Sequence, residues 1–106
     1  MMSLLEAALA TGGTALHGNP RLEGVSTDSR TIAGGELFVA LRGERFDGHD
    51  FVAAARSRGA AAVMIEAAWA DGHPPALPTL VVDDTRRALG RLGAWWRERF
   101  EIPLIG

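Results

Sequence analysis

Leu37-Phe38-Val39-Ala40-Leu41 runs into Arg42-Gly43-Glu44-Arg45-Phe46-Asp47-Gly48 and then His49-Asp50-Phe51-Val52. Five consecutive apolar residues without alternation have the length and pattern of a strand covered on both faces. The next seven residues are polar and glycine-containing, which reads as a loop. A helix is expected from His49, with Phe51, Val52, Ala54 and Ala55 facing inward and Gly59 at its end.

The alternation continues outward from this stretch. Ala60 to Ile65 reads as a second buried strand, residues 66–78 with Gly72 and three prolines as a loop, and Thr79 to Val82 as a third strand. Asp83 or Asp84 is placed to cap a helix ending near Phe100, with Ala88, Leu89, Leu92, Trp95 and Trp96 as its apolar stripe. On the N-terminal side, Gly34-Gly35 marks a turn. Gly24 to Thr27 and Thr14 to His17 are short β candidates around an Asn19-Pro20 turn. Ser3 and Glu6 have capping-box spacing, Leu5, Ala8 and Leu9 share one helical face, and Gly12-Gly13 stops the helix. Together these segments predict an α/β fold: a small mixed β-sheet flanked by helices. Ile102 to Gly106 begins a further apolar strand and stops, so the chain reads as one domain, residues 1–101, cut just inside the next at 102–106.

The 106 residues suit one compact domain, with 47% hydrophobic and 23% charged residues. Net charge is -2, which gives no electrostatic case for a nucleic-acid polymer or an anionic membrane. No cysteine is present, which excludes disulfides, thiolate nucleophiles and cysteine-ligated zinc. The N-terminus lacks a basic n-region, and no apolar run approaches the roughly 20 residues that span a bilayer. A soluble, cytoplasmic, monomeric protein is expected.

Two clusters hold most of the chemistry. Thr27-Asp28-Ser29-Arg30 follows a strand, and Gly43 to Asp50 lies between a strand and a helix. Loops at the carboxyl ends of strands are where open α/β sheets bind ligands. Ser29 offers a hydroxyl, and Arg30, Arg42 and Arg45 offer cationic forks suited to a diphosphate. Gly43 and Gly48 permit close backbone approach, and a helix start near His49 favours an anion. Asp47 and Asp50 suit orienting an arginine or histidine, or accepting from a sugar hydroxyl. Each pattern also has a plain reading: Asp28-Ser29 as a turn, Asp47-Gly48 as a loop-to-helix turn, His49 as a cap, Arg86-Arg87 as a solvated face. His17 and His73 lack partners at ligand spacing, so no metal site is expected. Ser29, His49 and Asp47 name the parts of a hydrolase, yet no Gly-x-Ser-x-Gly elbow is present. The chain also lacks a Gly-x-x-x-x-Gly-Lys-[Ser/Thr] loop, and it contains no lysine.

Taken together, Asp28-Ser29-Arg30, Gly34-Gly35-Glu36-Leu37-Phe38-Val39-Ala40-Leu41, Gly43 to Phe51, Gly59 to Val63 and Val81-Val82-Asp83-Asp84-Thr85 resemble the N-terminal domain of the Mur ligases. The resemblance runs from about residue 24 to the end. It implies a domain that binds the UDP part of a UDP-N-acetylmuramoyl-peptide, within an ATP-dependent amide ligase of peptidoglycan synthesis. Asp28, Ser29, Arg30, Gly43, Arg45, Asp47, Gly48 and His49 are the substrate-contacting positions it implies. It places no catalytic residue and no cofactor in this chain; ATP and Mg²⁺ belong to the central domain of the full enzyme. There the precursor carboxylate would become an acyl phosphate, and an incoming amine would form the amide, releasing ADP and phosphate. The Gly43 to Phe51 run is most similar to members that add D-alanyl-D-alanine. Members that add the third amino acid share Asp-Ser-Arg and Asp-Gly-His and are the alternative. A non-catalytic interaction module that kept the fold is the other reading.

Overall fold

The computed structural model describes residues 2–43, 47–73 and 77–100; in the last helix, side chains are described up to Trp95 and at Arg97. Its elements are β1 (Met2–Ser3), α1 (Leu4–Thr11), β2 (Thr14–Leu16), β3 (Arg21–Leu22), β4 (Gly24–Ser26) and β5 (Glu36–Val39), then a 3₁₀ turn (Gly48–Phe51) running into α2 (Val52–Ser57), and β6 (Ala62–Glu66), α3 (Ala67–Ala70), β7 (Thr79–Val82) and α4 (Thr85–Phe100). Five strands form one sheet in the order β2-β7-β6-β5-β4. β4, β5, β6 and β7 run parallel, and β2 joins β7 antiparallel. The sheet is therefore mixed, as expected.

The unbroken apolar runs follow from burial on both faces. Leu37, Val39, Ala62, Met64, Leu80 and Val82 point to one face and pack with Leu4, Ala7 and Ala8 of α1 and Ala88 and Leu92 of α4. Phe38, Ala40, Val63 and Ile65 point to the other and pack with Ala55 of α2, with Val52 and Trp69 at its edge. Period-two geometry sends neighbours to opposite layers, so β6, buried at every position, is apolar on both faces from Ala62 to Ile65. Burial of each large side chain, such as Phe38 or Leu80, stabilises by about 1.5–3 kcal/mol.

Local chemistry sets the element ends. Ser3 and Glu6 close a reciprocal capping box at the start of α1. Gly12 ends the helix in the left-handed region at φ 75°, donating its N–H to Ala8 O, a conformation that costs a β-carbon but not glycine. Asp84 caps α4 by accepting the Arg87 N–H at 3.1 Å.

Three expectations are corrected. The buried stripe of α1 is Leu4, Ala7, Ala8 and Thr11, while Leu5 and Leu9 are exposed, because the i, i+3, i+4, i+7 row starting at Leu4 is the one that faces the sheet. Phe51 and Ala54 do not point inward: the short α2 buries Ala55 alone, with Val52 half-buried. Residues 66–78 are not all loop, since Glu66 completes β6 and α3 follows it. A small ladder, β1 with β3, ties the N-terminus to Leu22. The expected strand at 102–106 lies outside the described residues.

Candidate functional site

Parallel pairing of β4 to β7 brings the loops that follow them to one edge of the sheet. Asp28, Ser29 and Arg30 follow β4, Arg42 to Asp47 follow β5, Glu66 ends β6, and Asp83 to Thr85 follow β7.

Beside β4 and β5 lies a cleft of about 410 Å³, lined by Asp28, Ser29, Arg30, Phe38 and Phe51. The helical end of the second loop thus meets the first motif, through Phe51. Ser29 is buried and contributes to the lining. Asp28 organises its own turn: its carboxylate accepts the Arg30 backbone N–H at 2.8 Å and pairs with the Arg30 guanidinium at 3.0 and 3.1 Å. The turn reading of Asp28 therefore holds, and its product is a fixed direction for Arg30, whose side chain is 84% exposed. The Arg30 hydrogen bonds hold the Asp28 carboxyl below its ordinary value.

The second loop is pinned at its neck. Arg42 and Asp47 form an isolated antiparallel bridge, and Gly48 donates its N–H to Leu41 O at 2.7 Å. A β-carbon on Gly48 would lie 2.7 Å from Leu41 N and O, so glycine is required there by the chain's own backbone. Asp47 accepts the His49 N–H at 3.0 Å, so the anion at this helix start is internal. Gly43 is exposed at the loop's start, and Arg45 lies outside the described residues.

His49 is buried, and both ring nitrogens are engaged inside the chain. Nε2 accepts the Glu66 backbone N–H at 3.0 Å, and Nδ1 donates to Asp47 Oδ1 at 2.6 Å. A nitrogen that accepts carries no proton, so this is neutral imidazole with its hydrogen on Nδ1. His49 is thus placed to position the loop rather than to act as a free base. Burial raises the Asp47 pKa, but the His49 hydrogen bonds and the Arg42 charge outweigh it and hold the carboxyl below its ordinary value.

Glu66 is the residue that sequence reasoning missed. Its carboxylate is buried at the end of an otherwise apolar strand. Oε1 lies 2.6 Å from Arg42 Nη2, and Oε2 accepts the Thr85 N–H at 3.1 Å and its hydroxyl at 3.4 Å. The available signal was an acid closing a run of buried residues, since an ionised group is buried only with partners. Arg86 adds a hydrogen bond to Arg42 O at 3.2 Å.

A second cavity, about 480 Å³, lies across α2 on the same sheet face, against Val63, Ile65, Trp69 and Thr79. His49 borders this one, so the structure separates it from Asp28-Ser29-Arg30. The smaller cleft fits a nucleotide better, because it joins an aromatic residue and a hydroxyl to an exposed guanidinium. Among the described residues no group of three or more His, Asp or Glu is placed to hold a metal ion. No described helix is long and apolar enough to cross a membrane.

The model of the Mur ligase family, catalytic domain, matches residues 21–96. The chain belongs to the Mur ligase family. The UDP-N-acetylmuramoyl-tripeptide--D-alanyl-D-alanine ligase of Synechocystis is 41% identical over 93 residues, 88% of this chain and 20% of that protein. The UDP-N-acetylmuramoyl-L-alanyl-D-glutamate--2,6-diaminopimelate ligase of Streptomyces coelicolor is 44% identical over 92 residues, 86% of this chain and 18% of that protein. Among solved structures, the UDP-N-acetylmuramoylalanyl-D-glutamyl-2,6-diaminopimelate--D-alanyl-D-alanyl ligase of Acinetobacter baumannii superposes with a TM-score of 0.77 at 34% identity, covering 92% of this chain and 22% of its own. The chain thus spans about a fifth of the length of the Mur ligases it matches.

Proposed function

We propose that this chain is the domain with which an ATP-dependent peptidoglycan ligase holds the UDP end of a UDP-N-acetylmuramoyl-peptide. The observation that carries the reading is the cleft where Ser29, the Asp28–Arg30 pair and Phe51 converge at the carboxyl edge of four parallel strands. Phe51 and Phe38 offer an aromatic and apolar lining to a flat base, Ser29 a hydroxyl, and Arg30 a fork for phosphate. Asp47, Gly48 and His49 hold the neck of the segment that runs into Phe51, and Gly43 and Arg45, from the same stretch of sequence, are proposed as further contacts.

The step we assign to the parent enzyme is addition of D-alanyl-D-alanine to the tripeptide precursor. Both this activity and diaminopimelate addition occur among the relatives' names; the resemblance of the Gly43 to Phe51 run to D-alanyl-D-alanine-adding members, a reading of the sequence alone, supports the first. ATP and Mg²⁺ would be bound by the remainder of that enzyme. We place its ATP-binding domain from residue 102 onward, with residues 1–101 as the nucleotide-binding unit.

Titration with UDP-N-acetylmuramoyl-tripeptide, and separately with UDP, tests this by amide chemical shifts. Saturable shifts at residues 28–30 and 43–51 are expected. Absence of saturable shifts there at millimolar ligand, in a folded sample, rejects the reading. Concentration-dependent self-association without nucleotide binding would support an interaction module instead.

A further inference from the structure

We propose that Glu66 is a positioning residue for the ligand's phosphates, acting by holding the Arg42 guanidinium at the carboxyl edge of the sheet. The inference rests on the UDP reading of the neighbouring cleft.

Glu66 is 6% exposed at the end of a strand whose other residues are all buried. A carboxylate there is costly unless both oxygens are partnered. Oε2 meets the Thr85 N–H and hydroxyl at the start of α4, contacts that a neutral side chain could also make. Oε1 meets Arg42 Nη2 at 2.6 Å, and that contact is the one that calls for negative charge.

Arg42 itself is 63% exposed at the side chain, so it needs no buried acid for its own solvation. The pairing instead fixes a flexible side chain. Its backbone is already held by the bridge to Asp47 and by Arg86 on its carbonyl. A guanidinium carries five N–H donors in a rigid fork, so one pinned end leaves the others aimed in a set direction. Arg42 and the cleft share the carboxyl edge of the sheet: Asp28, Ser29 and Arg30 follow β4, and Arg42 follows its neighbour β5. In this reading a base seated in the cleft carries its phosphates along that edge toward Arg42.

The test compares UDP with uridine, which lacks the phosphates, on the 106-residue chain and on Glu66→Gln, Arg42→Gln and the double variant. The unaltered chain should bind UDP more tightly than uridine. Glu66→Gln should weaken UDP about tenfold and leave uridine within about twofold. Arg42→Gln should do the same, and the double variant should be no weaker than Arg42→Gln alone. Equal weakening of UDP and uridine by Glu66→Gln would show that Glu66 only holds α4, and would overturn the proposal. Additive losses in the double variant would overturn it too. Arg42→Gln leaves the Thr85 contacts in place; if it binds UDP as the unaltered chain does, the proposal fails however Glu66→Gln folds. Failure of the cleft reading would appear instead in the unaltered chain, as no UDP binding.

Discussion

The Nε2 of His49 accepts the backbone N–H of Glu66 at 3.0 Å, across seventeen residues of sequence. With Nδ1 on Asp47, one buried ring joins the loop after β5 to the end of β6. The segment that runs into Phe51, on the lining of the cleft, is thereby fixed to the most buried strand of the sheet.

His49→Ala should therefore destabilise the fold by about 2–4 kcal/mol, since it removes buried packing and leaves a buried N–H without an acceptor. Urea denaturation measures the loss, and faster exchange of the Glu66 amide locates it. A loss below about 0.5 kcal/mol would mean that the ring is not the tie described.

Gly48→Ala should cost about 2 kcal/mol or more, because its β-carbon would meet the Leu41 backbone at 2.7 Å, and backbone cannot swing aside. Gly72→Ala, with nothing within 4 Å, serves as the control and should stay within about 0.5 kcal/mol. Equal midpoints for the two variants would refute the close approach.

Gly90→Ala should stabilise the chain. Gly90 lies on the exposed side of α4, and a β-carbon there meets nothing within 4 Å. Alanine restricts the unfolded chain and favours the helix by about 1 kcal/mol, which raises Tm by roughly 5 °C in a domain of this size. An unchanged or lower Tm by calorimetry contradicts the placement.

Acid should weaken the fold in a defined window. Asp28, Asp47 and Asp84 are all held below the ordinary aspartate value of 3.8, Asp28 by Arg30 and Asp84 by the Arg87 N–H, while for Asp47 burial is outweighed by His49. The folded state favours the carboxylate form, so this stabilisation is complete above the ordinary value and is lost as pH falls through it toward the lowered ones. The urea midpoint should be level from pH 7 to about 5 and fall steeply below about 4. A midpoint that stays level down to pH 3 would count against these contacts.

Much of the fold was readable along the chain. Leu80–Val82 and Ala62–Ile65 stand out because burial on both faces favours unbroken apolar runs. The Ser3–Glu6 box and the Gly12 stop are local and depend on spacing alone. Asp28-Ser29-Arg30 was visible as a motif, and its Asx-like turn follows from residues two apart. The inward face of α1 was not readable, because Leu4 and Leu5 are both apolar and only docking on the sheet selects between them. Glu66 was passed over for a similar reason: one acid after a strand is ordinary until a partner is seen.

The sequence by itself determined the central strands β5, β6 and β7 and the helices α1 and α4, because backbone propensity, capping and apolar period act within a few residues. It also determined the Asp28–Arg30 turn. Only the tertiary structure decided that Phe51 borders the same cleft as Ser29, that His49 turns to the opposite side of α2, and that Arg42, Glu66 and Thr85 meet. These contacts join residues 19 to 24 positions apart, through parallel strands and a crossover helix. Their partners are chosen by sheet order and packing, which no local spacing encodes.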